Sequence, residues 1–269
     1  MPQPLDKSPA RIAAMFDHIA PHYDFLNHFL SLNMDKRWRK KLVRKVAQRQ
    51  PATILDVATG TGDLAIMLLR QTRAAITAVD ISEGMLEIAR RKTTPPQPSP
   101  SGRETSPPTP LQRRGETAPP PLEGDGGRCL PINWLPASAE ALPFPAGAFD
   151  AVTVAFGVRN FENLDKGLQE MYRVLKPGGF AAILEFASPA RFPVKPLFRF
   201  YFHFALPLIG RLFSGHRTAY RYLPASVNRF PQRNEFLQLL QQAGFKDAHC
   251  QSLSCGIAML YSGTRAKKS

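Results

Sequence analysis

Cysteine is scarce in this chain: Cys129, Cys250 and Cys255 are the only three in 269 residues. Their spacing matches no metal-ligand pattern, and an odd count builds no disulfide framework. Free thiols in a reducing compartment, and no metal site, are expected. Long apolar runs are missing too: no stretch of 18 uncharged apolar residues occurs, so no membrane-spanning helix is expected. The opening MPQPLDKSPA has no apolar h-region, which predicts no secretory leader and a cytoplasmic location. Acids are absent from two stretches. Lys36 to Arg49 holds eight basic residues and no acid, and no acid occurs between Glu185 and Glu235.

Those gaps account for much of a formal net charge of +14. The second region interleaves Arg191, Lys195, Arg199 and Arg211 with the greasy sequence PLFRFYFHFALPLIGRLF. Basic residues beside aromatics suit single-stranded nucleic acid. Here the aliphatic content exceeds what base stacking needs, so no nucleic-acid partner is expected. Segment 188–232 reads instead as a wall for a lipophilic substrate or a face laid on an anionic membrane surface. An amphipathic helix on the domain's own core fits the same residues. A hydrophobic fraction of 43% supports a real core.

Ile54 to Asp80, ILDVATGTGDLAIMLLRQTRAAITAVD, carries the strongest signal. It reads as strand, glycine turn, helix and second strand, with an acid closing each strand. Gly60 and Gly62 allow a ligand to approach the backbone, and an acid about 20 residues on can accept from both ribose hydroxyls. The unit is an adenosine site. A dinucleotide would place its pyrophosphate on the helix N-terminus. Asp63 stands there and Asp56 closes the first strand, and two carboxylates repel that anion. They suit an ammonium and a sulfonium, the charges of S-adenosylmethionine. Asp63 also fits a plain cap for the helix it begins.

Thr93 to Arg128 stands apart, with ten prolines, five glycines and no aromatic in 36 residues. Such a composition cannot bury enough surface to offset chain entropy, so a disordered, tolerated insertion is expected, emerging away from the ligand crevice. Without it the rest reads as one domain, 1–269, opened by an N-terminal helical lid over 1–50. Seven strand candidates (54–57, 75–79, 132–136, 149–156, 180–186, 247–253 and 257–264) alternate with helices. That pattern predicts an α/β, doubly wound, mostly parallel sheet with a closing antiparallel hairpin.

Further blocks carry a family resemblance. YDFLNHFLSLNMDKRW (Tyr23 to Trp38), ASAEALPFP, AFGVRNF and MYRVLKPGGFAAILEF (Met171 to Phe186) together resemble the ubiquinone/menaquinone biosynthesis C-methyltransferases. The resemblance covers nearly the whole chain outside Thr93 to Arg128. It implies a Rossmann-like, class I S-adenosylmethionine-dependent methyltransferase with a seven-stranded sheet. AYRYLPASVNRFP and GIAMLYSG look like the menaquinone branch. Asp35 stands where the family usually has histidine, Leu26 where it has methionine, and Ala155 where some relatives have serine. Glu185 is followed by Phe186 and Ala187 rather than by the family's Glu-x-Ser.

The resemblance implies that Thr61, Asp80, Ser138 and Ala139 contact S-adenosylmethionine, beside Asp56, Gly60 and Gly62 from the residue reading. The reaction implied is methyl transfer to a ring carbon of demethylmenaquinol, a prenylated quinol, giving menaquinol. Another prenylated quinol, a ubiquinone or phylloquinone precursor, is the alternative substrate. Arg159 is expected to stabilise developing phenolate charge, and Asn160 to position the quinol oxygen or a water, both at the crevice edge. Tyr23 and Asp24 are candidates for the lid; His28 is a candidate base that more simply reads as structural. An NAD-dependent oxidoreductase and a non-catalytic membrane-docking protein stay open, as does oligomerisation. The expected setting is peripheral, at the inner face of the cytoplasmic membrane.

Overall fold

A computed structural model describes residues 7–31, 33–94, 131–189, 192–200, 222 and 225–267, with backbone alone at 21–23, 25–30 and 199. Two helices come first, α1 (Pro9–Leu30) and α2 (Met34–Ala47). The glycine-turn unit follows as β1 (Thr53–Val57), α3 (Asp63–Gln71) and β2 (Ala75–Asp80). Then come α4 (Glu83–Thr93), β3 (Asn133–Pro136), β4 (Phe149–Ala155) and a 3-10 turn, Val158–Asn160. The chain continues through α5 (Leu164–Val174), β5 (Leu175–Phe186), α6 (Val194–Phe200), α7 (Asn234–Gln242), β6 (Lys246–Leu253) and β7 (Ala258–Thr264).

The seven strands form one sheet in the order β3-β2-β1-β4-β5-β7-β6. β3, β2, β1, β4 and β5 pair in parallel, and β7 runs antiparallel to both β5 and β6. The doubly wound expectation therefore holds, with the antiparallel strand lodged inside the sheet. The order reverses between β1 and β4, and the crevice beyond their carboxyl ends is where such sheets take ligands.

Alternation along the strands sorts the core into two layers. Leu55, Val57, Val152, Val154 and Ile183 face Leu168 and Met171 of α5 and Phe236 and Leu240 of α7. Ile54, Ala151, Ala182 and Leu184 face Leu42, Val43 and Val46 of α2 and Leu64 and Leu68 of α3. Covered on both sides, the central strands have no polar face to show, hence their near-continuous apolar runs. Side-chain caps open two helices: Ser82 Oγ accepts from Met85 N–H at 3.2 Å for α4, and Asn163 Oδ1 from Lys166 N–H at 3.0 Å for α5. The KPGG turn lies inside β5, whose pairing with β4 jumps from Leu175–Phe149 to Phe180–Ala151 around it. Gly178 there has φ 80°, open to glycine.

Residues 95–130 lie outside those described. Their flanks are the far end of α4 and the amino end of β3, whereas the crevice lies beyond the strands' carboxyl ends. Residues 201–221, most of the basic aromatic stretch, also lie outside. Among the described residues, no helix is long and apolar enough to cross a membrane.

Candidate active site

β1 delivers Asp56 to the switch point opposite Thr153 of β4. The carboxylate is 1% exposed and accepts from Thr153 Oγ1 and Thr59 Oγ1, both at 2.6 Å. Burial raises its pKa from the usual 3.8 to about 6, against the pull of the two hydroxyls. A cation arriving in the crevice finds there a carboxylate whose charge is only partly answered.

One strand over, Asp80 holds the turn together. Gly60 N–H donates to Oδ2 at 2.7 Å and Ser82 N–H to Oδ1 at 2.9 Å. Burial raises this pKa too, with the backbone N–H groups opposing it. Each oxygen keeps a second lone pair, so both ribose hydroxyls still find acceptors. Gly62 does different work. A Cβ there would sit 2.5 Å from Trp134 Cη2 and 3.0 Å from Ala89 Cβ, and φ is 81°. This glycine lets the turn pack on β3 and α4, and it is not among the residues lining the cavity.

α1 closes the site from outside. Asp17 accepts from Ser82 Oγ at 2.6 Å and Gly84 N–H at 3.0 Å, at the start of α4. Two turns on, Asp24 accepts from Thr61 Oγ1 at 2.5 Å and pairs with Lys92 at 2.6 Å. Lys92 also reaches Asp63 at 2.8 Å, and Arg39 lies 3.8 Å from Asp63. Asp63 is thus already paired, leaving Asp56 as the better seat for an ammonium. Arg39 pairs with Asp35, whose other oxygen accepts from Ser31 Oγ at 2.6 Å, so the aspartate at the family's usual histidine position anchors α2. The side chains of Tyr23 and His28 lie outside those described.

Beyond β4 the wall turns apolar. Phe156 stacks at 4.5 Å on Phe186, and Trp38 meets both rings at 6.2 and 6.0 Å. Asn160 lines the cavity and accepts from Tyr222 O–H at 3.1 Å. Arg159, beside it on the same turn, is not among the lining residues. It is 5% exposed, turned inward to Phe156 O and to Glu185 Oε1 at 2.7 Å. The reason lies on β5: Glu185 is fully buried, and a buried carboxylate needs a partner. Arg159 Nε has no hydrogen-bond partner among the described residues.

Thr61, Gly60, Asp56, Asp80, Ser138, Ala139 and Asn160 all line one cavity, of about 920 Å³ of empty space partly open to solvent. Ser138 Oγ meanwhile accepts from Glu140 N–H at 3.2 Å, closing its own turn. Lys7, Ile12 and Phe16 complete the wall from the N-terminal side and were not foreseen. The donor set fits S-adenosylmethionine: carboxylates for ribose and ammonium, a small Ala139 beside Ser138, and an aspartate where a pyrophosphate would have to lie.

The comparisons agree. A model of the ubiE/COQ5 methyltransferase family matches residues 5–97 and 123–265, breaking off inside the proline-rich segment. A ubiquinone/menaquinone biosynthesis C-methyltransferase, UbiE, of Geobacter sulfurreducens is 43% identical over 96% of this chain and 90% of its own. The demethylmenaquinone methyltransferase of Thermus thermophilus is 42% identical over 93% of this chain and all of its own. That of Bacteroides fragilis is 38% identical over 96% and 94%. Among solved structures, a SAM-dependent methyltransferase from Thermotoga maritima superposes with TM-score 0.57 at 16% identity, covering 94% of this chain and 99% of its own, a likeness of fold. A family match over most of the chain, on a sheet whose switch point holds a carboxylate-lined adenosine crevice, places this protein in the ubiE/COQ5 family of S-adenosylmethionine-dependent methyltransferases.

Proposed function

We propose that this protein methylates a ring carbon of demethylmenaquinol to give menaquinol. One observation carries the reading: the cavity lined by the acids Asp56 and Asp80 is lined as well by Ile12, Phe16, Phe156 and Phe161, with Asn160 also on its wall. A flat, electron-rich ring needs both. The demethylmenaquinone methyltransferases among its relatives support the same substrate.

Bound S-adenosylmethionine supplies an electrophilic methyl on a cationic sulfur. Asp80 holds the ribose, Asp56 the ammonium, and Ser138 with Ala139 the adenine edge. Phe16, Phe156 and Phe161 exclude water and orient the ring. The Asn160 amide meets the quinol oxygen. Lys7 on the wall, with Arg159 one layer behind, answers the phenolate charge that grows as the ring carbon attacks. α1 acts as the lid, latched by Asp17 and Asp24. The Geobacter relative's broader name keeps ubiquinone precursors as a second substrate class.

The prenyl tail needs a lipid surface. Phe192, Leu197 and Phe200 are 87%, 65% and 64% exposed on and beside α6, with Lys195 among them. Exposed large apolar side chains with basic neighbours suit an anionic bilayer, at the inner face of the cytoplasmic membrane. The test is transfer of labelled methyl to demethylmenaquinol: the methylated quinol is expected, and an intact, cofactor-binding protein that leaves this quinol unmethylated refutes the substrate.

A further inference from the structure

Asn160 sits on a turn fixed from below. Its N–H donates to Gly157 O at 3.0 Å, and neighbouring Arg159 is tied to Glu185 through its backbone N–H at 3.3 Å and its guanidinium at 2.7 Å. What remains free is which end of the Asn160 amide faces the cavity. Tyr222, 62 residues away in the crossover between β5 and α7, donates its phenol proton to Oδ1 at 3.1 Å.

We propose that Tyr222 is a positioning residue that aims the Asn160 amide, turning its NH2 end towards the quinol oxygen that gains charge during methyl transfer. The assignment rests on the substrate reading above. A primary amide has an acceptor end and a donor end of similar size, and turning it over exchanges them. Left alone, the amide is free to meet a neutral quinol hydroxyl with its carbonyl end, accepting a hydrogen bond from it. As the ring carbon attacks, the hydroxyl becomes phenolate-like and needs a donor instead. An amide still showing its carbonyl would then oppose the reaction. With Oδ1 already engaged, the donor end is set in advance, and the interaction strengthens as charge develops.

Tyr222 can do this only while protonated. Burial holds its phenol above the ordinary range, Glu185 pushes the same way, and Arg159 opposes them. At neutral pH the group is therefore a donor.

The experiment is a double-mutant cycle on the full chain, with S-adenosylmethionine and demethylmenaquinol. Tyr222→Phe and Asn160→Ala should each lower kcat by about 10- to 100-fold, the scale of one oriented donor at a developing oxyanion. S-adenosylmethionine affinity, read by calorimetry, should stay within about twofold, since neither change touches the ribose or ammonium acids. The double variant should be no slower than Asn160→Ala alone. Asn160→Asp keeps an acceptor for Tyr222 but shows the quinol a carboxylate, and should be the slowest of the set. Losses that multiply in the double variant overturn the assignment. So does Tyr222→Phe losing cofactor affinity or fold along with turnover, because the role would then be structural. A wild type inert towards demethylmenaquinol overturns the substrate reading and this assignment together; an active wild type with multiplying losses overturns this assignment alone.

Discussion

Asp24 accepts a hydrogen bond from Thr61 Oγ1 at 2.5 Å, joining the N-terminal helix directly to the glycine turn of the cofactor crevice. The same carboxylate holds Lys92 at 2.6 Å, so α1, turn and α4 share one junction. Asp24→Ala removes it while leaving the crevice acids Asp56 and Asp80 in place. Cofactor dissociation should speed up about tenfold, equivalent to one charge-assisted hydrogen bond, with little change in association rate. Stopped-flow displacement measures this. An unchanged dissociation rate would show that α1 does not gate the site.

Asp56 gives a pH dependence with a defined sign. Its folded pKa of about 6 lies above the usual 3.8. Between those values the folded protein binds a proton that the unfolded chain has released. Stability is therefore lost as pH rises from about 4 to about 6, and the full cost persists above 6. Asp56→Asn should raise the melting temperature at pH 7, because an amide can still meet both threonine hydroxyls. Cofactor affinity should move the other way. A bound ammonium favours the ionised acid, so wild-type affinity should rise from pH 5 to 7, and the variant's should be weak and flat. Calorimetry across that range tests it; a pH-independent wild-type affinity would rule Asp56 out as the ammonium's partner.

Gly62→Ala forces a Cβ against the Trp134 ring at 2.5 Å, at a positive φ that side chains resist. A loss of about 2 kcal/mol or more is expected, with cofactor binding weakened only through displacement of the turn. Denaturant unfolding gives the magnitude. Trp134→Ala combined with Gly62→Ala should recover part of the steric loss, which an unrelated cause would not allow.

Much of this site could be read from residues alone, and the reason is local geometry. Ile54 to Asp80 concentrates strand, turn and acid in one short unit, so Asp56, Gly60 and Asp80 declare themselves by spacing. The contacts of α1 do not. Asp17 with Ser82 and Asp24 with Thr61 are 65 and 37 residues apart, single polar atoms that leave no period in the sequence. Gly62 has a further physical reason to be glycine that the motif does not declare, its close packing on Trp134 and Ala89. Its place after β4 points Arg159 to the crevice edge. The overlooked signal was Glu185, a lone acid in the apolar run FAAILEF, which had to find a buried cation.

Phe192, Leu197 and Phe200 make the membrane reading testable apart from catalysis. Changing all three to serine should abolish flotation with anionic vesicles while leaving cofactor affinity unchanged, since none lines the crevice. Turnover should fall with membrane-embedded quinol and persist with a short-tailed quinol in detergent. Retained flotation would move the contact elsewhere on the molecule.

β7 lies between β5 and β6, and its residues Ala258 to Tyr261 are buried. Of the seven strands it is the last to be synthesised, yet it fills an interior place. During translation β1 to β4, with the switch point between them, can pair as they emerge. β6 has no neighbour in the sheet until β7 arrives. The cofactor half of the molecule is thus available to a nascent chain well before the sheet is complete, and the edge of β5 stays open until the ribosome has delivered Thr264.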